Sequence, residues 1–121
     1  MISHVDKRVG DIIQTLKDND LYENTIIVFA GDNGFAVGQH GLMGKQNVYE
    51  HSIGVPLMIK AAAQHTGKKT ADLCYLIDVF PTLCDMLQLP VPRSVDGVSL
   101  LSSIKGGRPI RDHLYYCYMD N

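Results

Sequence analysis

Thr25-Ile26-Ile27-Val28-Phe29-Ala30 runs straight into Gly31-Asp32-Asn33-Gly34, and this junction decides the fold. Six apolar or β-prone residues in a row read as a strand buried on both faces rather than one facing water. The run stops at two glycines bracketing a carboxylate and an amide, which is turn chemistry. In open α/β sheets, sites form just beyond the carboxyl ends of strands, so Asp32 and Asn33 fall where a site belongs.

Working outward, the upstream segment predicts an amphipathic helix laid on a sheet. Val5, Val9, Ile12, Ile13 and Leu16 recur at helical spacing, with Asp6, Lys7, Arg8, Asp11, Gln14 and Lys17 between them. Gly10 costs that helix about 1 kcal/mol relative to alanine, and close packing on a neighbour would account for it. Asp18-Asn19-Asp20 closes the pattern. Downstream, residues 31–54 carry only a helical turn around Gln46 to His51, and so long a loop in a compact domain is commonly functional. Val55 to Lys60 predicts a second buried strand, with Pro56 near its start. Ala61 to Thr70 is a polar surface connection.

The second half continues the alternation. A helix from about Val79 to Leu87 opens on Asp78 as candidate N-cap, with Pro81 in its first turn, and Leu89-Pro90-Val91-Pro92 ends it. Leu100 to Ile104 predicts a short helix closed by Gly106-Gly107, and Leu114 to Met119 a last β-prone run. Helix, strand, loop, strand, helix gives an α/β class, part of a mostly parallel sheet with flanking helices, in one domain over 1–121.

Four residues stand out for chemistry. Asp32 and Asn33 offer hard oxygen ligands suited to calcium or magnesium, although Asp-Asn-Gly is also an ordinary turn sequence. Lys45, in the glycine-flanked run Gly38-Gln39-His40-Gly41-Leu42-Met43-Gly44-Lys45, could direct its ammonium at an anion or simply be solvated. His40 reads equally as a proton donor to a leaving oxygen or as a residue that packs its loop. The same run does not make a phosphate-binding P-loop. Gly38 stands one residue too far from Gly44-Lys45, Gly41 too close, and Gln46 replaces the required hydroxyl.

The cysteines Cys74, Cys84 and Cys117 form no C-x-x-C pair, and Cys84 shares a helical stripe with Phe80, Leu83 and Leu87, the place of a buried structural thiol. A net charge of −2 leaves no electrostatic footprint for nucleic acid or an anionic membrane surface. No apolar run approaches the roughly 18 residues that span a bilayer. A composition of 45% hydrophobic and 20% charged residues is that of an ordinary globular domain.

Taken in order, five blocks resemble the sulfatases, members of the alkaline phosphatase superfamily. They are Gly31-Asp32-Asn33-Gly34, Gly38 to Lys45, Tyr49-Glu50 leading to Val55-Pro56-Leu57, Asp78-Val79-Phe80-Pro81-Thr82-Leu83, and Asp96-Gly97-Val98-Ser99-Leu100. The resemblance implies an alkaline-phosphatase-like fold and hydrolysis of a sulfate ester. It makes Asp32 and Asn33 metal positions and Lys45 a sulfate contact; the residues themselves leave His40 as a second catalytic candidate and read Glu50 and His51 as structural. The implied cofactor is calcium or magnesium. The implied partner is a sulfated small molecule or glycan, in a family often periplasmic, secreted or lysosomal.

Two departures qualify the expectation. Gly54 stands where the family commonly has arginine, and no Cys/Ser-x-Pro/Ala-x-Arg block for a formylglycine nucleophile occurs anywhere in the chain. The expectation is therefore a fragment of a sulfatase catalytic domain, inactive alone and holding a metal weakly or not at all. The alternatives are a phosphate or phosphonate ester hydrolase of the same superfamily, and a non-catalytic binding domain that keeps the fold.

Overall fold

The structure, a computed structural model, describes residues 1–61 and 67–117. Its elements alternate as expected for an α/β protein: α1 (Ile2–Asp18), β1 (Ile27–Ala30), β2 (Ala36–Val37), β3 (Met43–Gly44), α2 (Glu50–Ile53), β4 (Leu57–Lys60), α3 (Val79–Met86) and α4 (Leu101–Ile104). Single 3-10 turns lie at Tyr22–Asn24, Gln39–Gly41 and Leu76–Asp78. Part of the expected 61–70 connection and the end of the 114–119 run lie outside the described residues. Residues 114–117 form no strand.

The chain divides into two compact units. The first comprises Met1–Phe29 and the segment beginning at Met58. Here α1 forms where the periodicity placed it, with Lys7 and Arg8 both pairing to Asp11 at 3.4 and 3.0 Å. It stops at Asp18, and Asp20 then takes a left-handed φ of 57°, which a short polar side chain tolerates.

Two expectations about α1 fail. No residue of the helix is buried, and Val5, Val9 and Ile13 line a groove of about 720 Å³ together with Ile27, Phe29 and Met58. Nor does Gly10 mark close packing among the described residues: a Cβ there would meet none of their atoms within 4 Å.

β1 begins at Ile27, two residues after the predicted start, and pairs with β4. Both strands are shorter and more exposed than their sequences suggested, with Phe29, Ala30 and Met58 open to solvent. A fully apolar run signals burial on both faces, but among the described residues β1 has β4 as its one strand neighbour. Lys60, on β4, donates to the carbonyls of Tyr22 and Thr25 at 2.6 and 3.2 Å and lies 4.2 Å from the Tyr22 ring centroid, tying the strand to the turn after α1.

The second unit comprises Ala30–Leu57 and the segment from Gly67 onward. Its centre is α3, which buries Pro81, Thr82 and Cys84. Cys84 is the buried thiol the stripe predicted, although Phe80 and Leu87 on that stripe are exposed.

Asp78 differs from expectation: its side chain does not cap α3. Fully buried at 0% exposure, it accepts hydrogen bonds from the backbone N–H of Tyr75 (2.7 Å) and Val98 (2.8 Å), and it holds Arg111 bidentately at 2.5 and 2.7 Å. Thr82 Oγ1 donates to the Asp78 carbonyl (2.5 Å) and accepts from Leu100 N–H (2.8 Å). Gly97 is required at its place, since a Cβ would overlap the Ile77 carbonyl. The Asp-x-x-Pro-Thr and Asp-Gly-x-Ser-Leu blocks thus meet around one carboxylate. Beside it, burial first and the Asp78 charge second push the Cys74 thiol pKa up, the environment of an unreactive thiol.

Candidate active site

The tip after β1 is held from below. Gly31 N–H donates to the Pro56 carbonyl (3.1 Å), continuing the β1–β4 pairing to the edge of the turn. Gly34 N–H and Phe35 N–H donate to the carbonyls of Ser52 (2.9 Å) and His51 (2.8 Å), so α2 abuts the tip directly. That approach demands glycine at 34, where a Cβ would overlap the His51 carbonyl oxygen. Gly34→Ala is accordingly expected to cost about 1–3 kcal/mol through overpacking, read as a lowered urea midpoint; an unchanged midpoint would show that α2 can retreat freely.

The long loop contains more order than its sequence announced. Ala36 pairs with Gly44 and Val37 with Met43 in a two-rung antiparallel ladder. Gly38 and Gly44 take φ of 100° and 107°, and Gly41 takes 71°, all in the region that glycine enters without penalty. The ladder returns the chain so that Lys45 emerges beside the tip. Its Nζ donates to Asn33 Oδ1 at 3.1 Å, while Asn33 Nδ2 donates to the Gly34 carbonyl at 2.7 Å.

Asp32, Asn33, His40 and Lys45 are all exposed and all lie in the second unit. The structure brings Asn33 and Lys45 into contact and sets Asp32 next to them. Among the described residues the Asp32 carboxylate makes no hydrogen bond or ion pair, which leaves its oxygens uncommitted. The Asp32 and Asn33 oxygens have the chemistry that calcium or magnesium takes, as two of about six to eight ligands. No group of three or more His, Cys, Asp or Glu among the described residues is placed to hold a metal.

His40 stands apart from this contact. It is one of three non-glycine residues with positive φ (53°) among the described residues. Its ring stacks on Tyr49 at 4.1 Å between centroids and 17° between planes. His51 completes the cluster at 5.7 Å from His40 and 5.6 Å from Tyr49. Sequence reasoning used Tyr49 within the Tyr49-Glu50 block and read His51 as structural, but no local signal brings either ring to His40.

A family model described as Sulfatase matches residues 1–89. The chain is 34% identical over 101 residues to arylsulfatase K of Gallus gallus, a match spanning 84% of this chain and 19% of that protein. It is 36% identical over 108 residues to choline-sulfatase of Rhizobium meliloti (strain 1021), spanning 87% and 21%. Among solved structures, the phosphonate monoester hydrolase of Agrobacterium radiobacter aligns with a TM-score of 0.81 at 34% identity, over 91% of this chain and 22% of that one. The chain spans about a fifth of the length of the curated relatives it matches.

Proposed function

This chain belongs to the sulfatase family, with an alkaline-phosphatase-like α/β fold, and on that premise we propose that it supplies one rim of a sulfuric ester hydrolase site. The observation that carries the reading is the 3.1 Å contact between Lys45 Nζ and Asn33 Oδ1, beside the Asp32 carboxylate that has no partner among the described residues. A cation donor, an amide oxygen and an uncommitted carboxylate share one exposed rim at the carboxyl end of β1.

In this reading Asp32 and Asn33 give oxygens to a calcium or magnesium ion. When bound, the ion supplies Lewis-acid polarisation of the sulfate oxygens. Lys45 turns from Asn33 to a sulfate oxygen and stabilises charge there as the sulfuryl group transfers; a compact, mobile ammonium suits that role. The Asn33 amide remains oriented by its bond to the Gly34 carbonyl. His40 offers a proton to the leaving oxygen. The substrate class is a sulfate ester of a small molecule or glycan, and the nucleophile comes from outside these 121 residues, none of which forms the expected block.

The test is steady-state hydrolysis of an aryl sulfate, with calcium, by the full-length gene product carrying this sequence. Lys45→Ala should lower kcat/KM more than about tenfold, a loss of at least roughly 1.4 kcal/mol of transition-state stabilisation. Unchanged kcat/KM would return Lys45 to the class of solvated lysines, and the purified 121-residue chain serves as the arm expected to show no turnover. A second reading, hydrolysis of phosphonate monoesters, is supported by the likeness to the Agrobacterium enzyme. An aryl phosphonate run in parallel decides between them by the larger kcat/KM.

A further inference from the structure

We propose that one face of the β2–β3 ladder receives the organic body of the ester, with Phe35, Val37 and Met43 as specificity-determining residues that select an aryl or alkyl group over a polyhydroxylated one. The inference rests on the hydrolase reading above and names the substrate class of that same site. Its basis is the register. Ala36 pairs with Gly44 and Val37 with Met43, so the next rung sets Phe35 opposite Lys45. The backbone agrees: Gly38 N–H donates across the ladder to the Leu42 carbonyl, whereas Phe35 N–H points away from it, to the His51 carbonyl. Along an antiparallel pair, hydrogen-bonded rungs alternate with rungs whose backbone groups face outward. Val37–Met43 and Phe35–Lys45 are of the second kind, in which opposed side chains lie closest, at about 4.5 Å between Cα atoms. Side chains two residues apart share a face of a strand, so Phe35, Val37, Met43 and Lys45 project to one side. Burial follows the same division. Ala36 is fully buried and Gly44 half-buried, whereas Phe35, Val37 and Met43 keep 54, 69 and 74% of their exposure and Lys45 is exposed.

That face carries one cation among three large apolar side chains, and the cation is the one already at the rim: Lys45 Nζ reaches Asn33 Oδ1 at 3.1 Å. Contiguous exposed apolar residues on a folded domain commonly mark a binding surface. The ligand that fits this one has an anionic head for the ammonium and an apolar body for its neighbours, which describes an aryl or alkyl sulfate. A sulfated sugar would lay hydroxyls on the same face and lose their water without replacement. Phe35 and Val37 have no polar side-chain atom to offer, and Met43 has only a weakly accepting sulfur. The flexible thioether of Met43 also adapts to bodies of different shape.

The test varies apolar length while leaving-group basicity stays nearly constant. The full-length gene product is assayed with phenyl sulfate and with 4-propylphenyl sulfate, whose phenols have almost the same acidity. Wild type should favour the propyl ester by more than about fivefold in kcat/KM, because the added methylenes leave water on binding. Met43→Gln and Val37→Asn, both at exposed positions, should cut that preference below about twofold. Met43→Ala removes apolar surface without adding polarity and should at least halve the ratio, which keeps the test open if a polar variant fails to fold. Lys45→Ala should slow both esters alike and leave the ratio unchanged, so the anion contact and the apolar contact are read separately. A wild-type ratio near one would overturn the proposal, as would a ratio unmoved by all three substitutions at Val37 and Met43; either would mean that another part of the protein covers this face. If wild type cleaves aryl phosphonates and not sulfates, the sulfate reading alone fails, and the same ratio on phenyl and 4-propylphenyl phosphonates decides the role of the face. Turnover of neither ester class overturns both.

Discussion

Asp32→Ala in the full-length gene product should abolish most sulfate ester hydrolysis, lowering kcat/KM by at least about a hundredfold, while leaving stability within about 0.5 kcal/mol of wild type. The two halves of this expectation come from one observation. Among the described residues the Asp32 carboxylate is exposed and has no partner, so truncating it removes no contact that holds the fold. On the proposed reading, a carboxylate that makes no contact among the described residues, beside an amide oxygen and an ammonium on a glycine-bracketed tip, serves binding rather than folding. The loss should be accompanied by a drop in calcium or magnesium content of the purified protein, and added metal should restore little activity, because a missing ligand cannot be compensated by concentration alone. Near-wild-type turnover with unchanged metal content would remove Asp32 from the site and reduce Asp-Asn-Gly to a turn.

What the sequence disclosed follows from the range over which each signal acts. α1, β1, β4 and α3 were legible because hydrophobic periodicity and turn residues are local. The place of Asp32 and Asn33 just past the end of β1 was legible for the same reason: an apolar run that stops at Gly-Asp-Asn-Gly marks its own tip. The two-residue strands β2 and β3 left no trace, since Ala36-Val37 and Met43-Gly44 are too short to show alternation and glycines flank them. Burial was overestimated for β1 and α1, whose apolar residues face a groove or solvent among the described residues. The His40–Tyr49–His51 cluster and the Asp78–Arg111 pair were beyond reach. Their partners are up to 33 residues apart in sequence, and no periodic pattern spans such a distance. Asp78 therefore read as a helix cap, the local role open to an aspartate before Val79-Phe80-Pro81, when its carboxylate in fact gathers three separate segments.

That gathering predicts the largest stability effect in the chain. Asp78 is fully buried and Arg111 retains only 16% of its side-chain exposure, so each ion depends on the other for what water no longer supplies. Removing one partner of such a pair typically costs about 3–5 kcal/mol. Asp78→Ala would also strand the N–H groups of Tyr75 and Val98. The Arg111 guanidinium lies 4.9 Å from the Tyr75 ring centroid, and the Tyr75 hydroxyl donates to the Tyr115 carbonyl at 3.0 Å, so the damage should extend along residues 110–115. The expected result is a urea midpoint lowered severely or a protein that fails to fold.

Because a non-folding variant teaches little alone, Asp78→Asn supplies the second measurement through its pH dependence. Burial by itself would raise the Asp78 pKa, but the Arg111 hydrogen bonds, the two N–H donors and the Arg111 charge together hold it below the ordinary carboxylate value. A depressed folded-state pKa contributes stability above the unfolded value of about 3.9 and loses it as pH falls through the folded value. The gap in stability between wild type and Asp78→Asn should therefore be constant near neutral pH and shrink below about pH 4. A gap that does not narrow in acid would mean that the carboxylate charge is not what holds Arg111. The 96–100 and 110–115 segments would then owe their placement to packing on α3 alone.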